Sequence, residues 1–344
     1  MNILRIASRL TTMPSKAVSF STLKIIATTK ILSIGNVKNK NIRIMIDNNN
    51  NNDKERRRIY SLAVARQVPR SLPDAITMSS NDSNIIDYNR AKLEHDNYLK
   101  ALRKYIPVLC LPPLDNMPDS MFVEDTVVTV GHKAVITNPG HPIRRREVDT
   151  IRTLLEDQLA MDVTDMREDL SATATTTAYC DGGDVMFTGR HLFVGISGER
   201  TSFEAIKILE KGLDVEVIPI PFQQGTNTLH LKSIITHVDE HTLLVPDNND
   251  LGHHILQTMM KESNSKYDIV RLPSHATLSC NVVSVQGKGR GGLLAQLSHE
   301  DDHRTRNILT EISQERDLNL EFVSLKEAAK CDGALTCCSV LLDI

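Results

Sequence analysis

The chain has 344 residues, 40% of them hydrophobic, which is enough to bury one large core or two ordinary ones. Its formal net charge of -3, from 40 basic against 43 acidic side chains, excludes a general basic field for nucleic acid or an anionic membrane, so any charged ligand must be held by local groups. The six cysteines include no CxxC pair or dense secreted-type framework, and no apolar run reaches the roughly 18–20 residues of a membrane span. Together these predict a soluble protein of a reducing compartment.

The first 46 residues carry Arg5, Arg9, Lys16, Lys24, Lys30, Lys38, Lys40 and Arg43, many Ser and Thr, and no acid before Asp47. That is the composition of a transit peptide, and equally of a disordered extension; the uninterrupted apolar core of a secretory signal is missing. "DNNNNNDKERRR" follows as a low-complexity linker. Residues 1–58 are therefore set aside as a disordered or targeting extension with an Asn-rich linker. Residues 59–344 are expected to form a single domain, cytoplasmic or mitochondrial in location.

From Tyr60 onward one unit recurs: an apolar run, a short turn, a second apolar run, an amphipathic helix and a further strand. An incomplete copy comes first, with "YSLAVARQV", the helix "DYNRAKLEHDNYLKALRKY" and the strand "VLCLPP". "TVVTVGHKAVIT" turns at Gly131 and is followed by a helix in which Val148, Ile151, Leu155 and Leu159 recur at three- and four-residue spacing. "DVMFTGRHLFVGIS" turns at Gly189 and leads to the strand "VEVIPI". "IITHVDEHTLLV" turns on Asp239, and Ile255, Leu256, Met259 and Met260 mark the helix before "DIVRLP". "CNVVSVQGKGRGGLLAQL" turns on a glycine cluster before a helix containing Ile308, Leu309 and Ile312. A single unit cannot bury both of its faces, so repetition predicts an α/β propeller closed radially. The last strand, "CCSVLLDI", would complete the first unit by pairing with the first strand, carrying Cys337 into the central strands of the closing blade.

Four constellations stand out from this core pattern. "PDSMFVEDTVV" crowds Asp119, Glu124 and Asp125 around an apolar run. One such acid reads as a solvated strand end, whereas three favour a cationic ligand. In "CDGGDV", Gly182 and Gly183 let the backbone bend and present Asp181 and Asp184, although a plain turn before a strand has the same look. His230 lies in the apolar run "TLHLKS", where a histidine is more often a satisfied core residue, and gains meaning only beside a nucleophile. Cys337 and Cys338 supply one, with His230 as the best candidate partner. Strand alternation would point the two thiols to opposite faces, one to the cleft and one to the packing; two small buried hydrophobes is the plainer reading.

"LPPLDNMPDSMFVEDTVV", "ITNPGHPIRRREV", "CDGGDVMFTGR", "TLHLKS" and "CDGALTCCSVLLDI", in series between Tyr60 and Ile344, resemble the dimethylarginine dimethylaminohydrolase family of the guanidino-group-modifying superfamily. The resemblance implies a five-bladed ββαβ propeller with no required cofactor. It implies Cys337 as nucleophile, His230 as general acid and base, and Asp181 as the acid that orients His230. Asp125 and Glu124, with Asp119 beside them, would hold the guanidinium, Arg144 and Arg200 the carboxylate side, and Asp332 a place near the nucleophile. Cys331 stands where relatives often carry an aliphatic residue whose carbonyl contacts substrate. Ile76 or Thr77 would make the contact from the loop "SLPDAITMSSNDSN".

The expected reaction is hydrolysis of dimethyl- and monomethylarginine to citrulline and a methylamine, removing inhibitors of nitric oxide synthase, by a monomer or homodimer with a small-molecule substrate and neither nucleic acid nor membrane as partner. A thiolate and an imidazole could also capture Zn²⁺ at Cys337 and His230, blocking catalysis. The rival readings are an arginine deiminase or amidinotransferase of the same superfamily, and a non-catalytic guanidino-binding protein of the same fold.

Overall fold

The computed structural model describes residues 60–77, 85–168, 177–222, 230–286 and 290–344. The N-terminal extension and its Asn-rich linker lie outside the described residues, as do parts of the loop after Ser71, of "TLHLKS" and of the glycine-cluster turn.

Among the described residues the strands make five three-stranded sheets, each an antiparallel pair extended by a parallel strand that returns across a helix; in four of them the pair is a hairpin. β3 (Val127–Val130), β4 (Lys133–Ile136) and β5 (Asp162–Asp165) form one; β6 (Val185–Phe187), β7 (Leu192–Ile196) and β8 (Val217–Pro221) the next. β9 (Thr236–His237), β10 (Thr242–Pro246) and β11 (Asp268–Leu272) follow, then β12 (Val283–Val285), β13 (Gly292–Ala295) and β14 (Asn319–Phe322). The fifth sheet joins the ends of the fold: β1 (Leu62–Arg66) pairs in parallel with β2 (Val108–Leu111) and antiparallel with β15 (Val340–Leu342), Leu62 opposite Leu342 and Val64 opposite Val340. This is the expected five-bladed ββαβ propeller, closed by its last strand.

The helices cross on the outside, and their caps are written in the sequence. Asp87 accepts from the Asn89 and Arg90 amides to start α1 (Tyr88–Leu102). Asn249 and Asp302 do the same for α4 (Asp250–Glu262) and α5 (His303–Glu315). The run expected as one regular helix over Val148–Leu159 differs. Its α-helical part, α2 (Asp149–Thr153), passes into a π-turn over Leu154–Gln158, whose extra residue in the turn lets both Leu154 and Leu155 bury and leaves Leu159 as the half-buried residue after it. α3 (Glu204–Leu213) ends on Asp214 in the left-handed region, and α6 (Lys326–Ala329) is a single turn. Apolar residues gather into five clusters, as expected where neighbouring units cover each other's faces.

A short 3₁₀ turn precedes the first strand of every blade: Val123–Thr126, Gly182–Asp184, Leu231–Ser233, Thr277–Cys280 and Thr336–Cys338. These five turns are tied into a closed ring. The Gly183 amide donates to Asp125 Oδ1, the Leu231 amide to Asp184 Oδ1, Asn281 Nδ2 to the Lys232 carbonyl, the Thr336 amide to Asn281 Oδ1, and Thr336 Oγ1 to Glu124 Oε2, all at 2.9 Å. Below the ring, the first strands line a central channel of about 130 Å³ that Glu124, Lys232 and Thr336 also reach.

Candidate active site

Because every turn stands at the inner end of its blade, residues distant in sequence converge there. Cys337 and Cys338 sit in the fifth turn and not in a strand; β15 starts only at Val340 and is the inner edge of its sheet, so the expected entry of Cys337 into central strands does not hold. The two thiols still diverge, because successive residues of a 3₁₀ turn are about 120° apart. Cys337 is half-buried and lines a pocket, while Cys338 is fully buried with its thiol directed at the Ala334 carbonyl. Glu124 and Asp125 likewise lie in a turn, where their carboxylates can face inward side by side.

The pocket, about 20 Å³, is walled by Cys337, His230, Asp119, Asp125, Arg144, Arg200, Cys331, Asp332 and Ile76, together with Phe122 and Gly333. Nine of the residues singled out from sequence thus share one wall. Asp181 and Glu124 stand directly behind it, the first on His230 and the second on Thr336. Of the two loop candidates, Ile76 faces the pocket and its amide points at both Asp119 oxygens at 3.3 Å, whereas Thr77 donates from its hydroxyl to the Lys330 carbonyl. Cys331 turns its thiol to the Ala328 carbonyl, and burial pushes that thiol up to about 12. Asp332 occupies the left-handed region at φ 62, a conformation Asp tolerates better than most side chains.

Charges in the site alternate. His230 Nε2 lies 2.9 Å from Asp181 Oδ2 and 4.0 Å from Asp125 Oδ1, with all three side chains buried. Burial works against the imidazolium, but Asp125, the bond to Asp181 and the nearby Asp184 outweigh it and hold His230 at about 9. Asp125 is held well below the usual carboxylate range: burial opposes ionisation, and His230 and Arg144 overcome it. The Cys337 thiol is pushed well above its ordinary value by burial first and then by the charges of Glu124 and Asp125. The resting pair at neutral pH is therefore thiol and imidazolium.

Arg144 enters the pocket wall already engaged. Nη1 donates to Asp125 Oδ2 at 2.6 Å, Nε and Nη2 to Glu147 Oε2 at 3.1 and 2.9 Å, and Nη2 also to the Phe122 carbonyl at 3.0 Å. Arg200 lies 3.6 Å from Asp181. Asp181 is further fixed by the Gly140 amide at 2.9 Å, and Asp184 by the Thr201 hydroxyl at 2.7 Å. Burial raises Glu124 against the pull of Lys232, 2.6 Å away.

Gly182 and Gly183 serve close approach and not a sharp bend, since neither has a positive φ. A Cβ on Gly182 would lie 2.0 Å from the Glu124 carbonyl oxygen, and one on Gly183 2.6 Å from His230 Nδ1. Glu147, Thr201, Lys232, Asn281 and Thr336 are not evident from sequence as site residues, whereas Asp184, presented by "CDGGDV", is. A signal for one of them, Asn281, exists in the polar residue that stands before the first apolar pair of four of the five blades, in "EDTVV", "GGDVM", "SCNVV" and "CCSVL".

Among the described residues, one group has donor atoms near enough together for a metal ion: one each from Asp125, Asp181 and His230, within 4.8 Å of one another. Their atoms already satisfy one another, Arg144 and two backbone amides, so the group reads as a balanced charge cluster. No helix among the described residues is long and apolar enough to cross a membrane.

A family model described as N,N dimethylarginine dimethylhydrolase, eukaryotic, matches residues 67–339. The N(G),N(G)-dimethylarginine dimethylaminohydrolase of Pseudomonas aeruginosa is 28% identical over 283 residues, covering 80% of this chain and 97% of that protein. Among solved structures, a cysteine-to-serine variant of DDAH from Pseudomonas aeruginosa complexed with citrulline superposes with a TM-score of 0.66 at 23% identity, over 83% of this chain and all (100%) of that one. The N-terminal domain of ArgZ, an arginine dihydrolase from cyanobacteria, superposes with a TM-score of 0.63 at 16% identity, over 82% and 97%. The two structural likenesses show the shared fold.

Proposed function

This chain belongs to the eukaryotic N,N dimethylarginine dimethylhydrolase family, and we propose that it hydrolyses dimethylarginine and monomethylarginine to citrulline and the corresponding methylamine through a covalent adduct on Cys337. The observation that carries the reading is one pocket wall shared by a thiol, a histidine held charged, buried carboxylates and two arginines. That set suits a cationic, planar substrate with a carboxylate at its far end.

Chemistry follows from the charges. A guanidinium entering beside Asp119 and Asp125 brings positive charge to the thiol, and so favours the thiolate that burial and acid neighbours disfavour in the empty pocket. Release of the thiol proton to solvent, since His230 already carries its own, leaves sulfur able to attack the central carbon, held near it by the carboxylates. As the tetrahedral adduct collapses, the carbon–nitrogen bond to dimethylamine breaks, and the His230 imidazolium supplies that nitrogen's proton. The S-linked thiouronium remains on Cys337. His230, now neutral, takes a proton from water as the water's oxygen bonds to the carbon; the carbon–sulfur bond then breaks, the adduct's hydroxyl proton passes to the departing sulfur, and citrulline and the Cys337 thiol result. Asp181 keeps the imidazole in orientation through both steps.

Zinc capture at Cys337 and His230 belongs to the same reading, as inhibition, with the thiolate and the imidazole as the groups that would hold the metal. The domain is proposed to be 59–344, with residues 1–58 a targeting or disordered extension, and the protein a monomer or homodimer.

The test is citrulline and dimethylamine formation by the wild type beside Cys337→Ser, with reductant and chelator present. Ammonia from unmethylated arginine, with dimethylarginine inert, would transfer the protein to the deiminase reading. Binding without any citrulline would make it a guanidino-binding protein.

A further inference from the structure

Glu147 lies outside the pocket, yet it is buried to 1% exposure directly behind Arg144. Its Oε2 receives two N–H groups of one guanidinium, while the opposite edge of that guanidinium grips Asp125. A buried file of alternating charge results: Glu147, Arg144, Asp125, His230, with spacings of 2.9, 2.6 and 4.0 Å. From this geometry, and resting on the catalytic reading above, we propose that Glu147 is a positioning residue that acts through Arg144 to set the charge balance at His230 and Cys337.

The argument is one of sharing. A guanidinium does not give up its proton in a protein, so Arg144 must be balanced by acids, and it has two. Burial acts against the charge of each partner. It pushes the Glu147 carboxyl up to about 7, whereas Arg144 is raised above its ordinary value by Glu147 and Asp125. Two N–H groups aimed at one carboxylate oxygen decide between these: the pair is ionised. While Glu147 takes half of Arg144, Asp125 keeps charge to spare for His230, and later for the incoming guanidinium. With Glu147 neutral, the whole of Arg144's charge would fall on Asp125.

The other groups facing these residues do not replace it. His230 is faced by Asp184 from the second turn and Asp181 just before it, by Asp125 from the first and, at the pocket wall, by Cys337 and Arg200. Glu147 is faced by Arg144, by Asp119 and Asp125, and by Arg66, whose Nη2 is committed to the Thr150 hydroxyl at 2.6 Å.

Removing the Glu147 charge adds net positive potential at both reacting groups, so deprotonated forms gain on each. Glu147→Gln, which keeps the shape, is expected to lower the His230 titration midpoint by roughly one pH unit, read by NMR of labelled histidine, and to slide the whole kcat/KM profile to lower pH by a similar amount. Glu147→Asp, which keeps the charge, should leave the midpoint nearly in place while raising KM. A packing role would lower the height of the profile without moving it. An unchanged His230 midpoint in folded Glu147→Gln overturns the proposal, as does an equal shift in both variants. Should Glu147→Gln not fold, Glu147→Ser with added formate separates the two: formate restoring the midpoint supports the charge role, and no response overturns it. The histidine titration needs no turnover, so a wild type that makes no citrulline would sink the catalytic reading and leave this one to be judged separately.

Discussion

Asn281 and Thr336 hold each other by two hydrogen bonds, Thr336 amide to Asn281 Oδ1 at 2.9 Å and Asn281 Nδ2 to Thr336 Oγ1 at 3.0 Å. Thr336 immediately precedes Cys337, and Asn281 also grips the Lys232 carbonyl, two residues after His230. One buried amide therefore fixes nucleophile and histidine in a common frame. Asn281→Ala is expected to lose about 2–4 kcal/mol of stability, from three hydrogen bonds and the groups left unpaired. It should also lower kcat by about 10- to 100-fold through misplacement of the sulfur. Urea melts beside steady-state kinetics check both; a stable, fully active Asn281→Ala would mean that the ring does not position Cys337.

His230 makes stability depend on pH in a defined direction. Its folded value of about 9 lies above the roughly 6.5 of an unfolded histidine, so its contribution is fully present below pH 6.5 and is lost as pH rises through 9. The contribution is on the order of 3 kcal/mol at most. Comparing unfolding free energies of the wild type and His230→Gln from pH 6 to 10, the two curves should converge at the alkaline end. Parallel curves would show that the imidazole is not held charged.

The fold was legible because each blade repeats the same period: paired apolar runs around a turn, then a helical stripe. Even the pairing of the last strand with the first followed from the first unit lacking a strand and the last strand lacking a sheet, though its register, Leu62 opposite Leu342, did not. The local form of the site was not legible. Glu124, Asp125, Cys337 and Cys338 read as strand because they adjoin β-branched and apolar runs, yet all four lie in 3₁₀ turns. The five such turns are only three or four residues long, too short for periodicity to distinguish from the strand that follows. Glu147 was hidden for another reason. Its meaning depends on the far side of Arg144, and sequence adjacency in "IRRRE" says nothing of which arginine turns inward.

The adjacent cysteines should behave as chemically different residues. Cys337→Ser is expected to abolish turnover, since a hydroxyl ionises far less readily and attacks a cationic carbon poorly. Cys338→Ser places a hydroxyl at a fully buried position against the Ala334 carbonyl. It should keep kcat within a few-fold and lower stability by about 1–3 kcal/mol. An electrophilic amidine should label Cys337 alone, with saturating substrate protecting it. Label on Cys338, with Cys337→Ser still active, would move the nucleophile by one residue.

The two neighbouring glycines give a sharper separation between folding and chemistry. Both have ordinary negative-φ backbones, so alanine tests space alone. At Gly182 the added carbon would meet backbone, 2.0 Å from the Glu124 oxygen and 3.2 Å from the Val127 oxygen, and neither can yield without moving the first turn against the second. At Gly183 it would meet side chains, 2.6 Å from His230 Nδ1 and 2.9 Å from Asp125 Oδ1, which can swing aside. Gly182→Ala should therefore accumulate poorly as folded protein. Gly183→Ala should fold but turn the imidazole off Asp181, lowering kcat by roughly 100-fold and drawing the His230 midpoint down from about 9 toward the ordinary histidine value. Circular dichroism, citrulline release and the histidine titration together read the difference. A Gly183→Ala protein with wild-type kcat and an unmoved midpoint would show that His230 does not pack against that backbone.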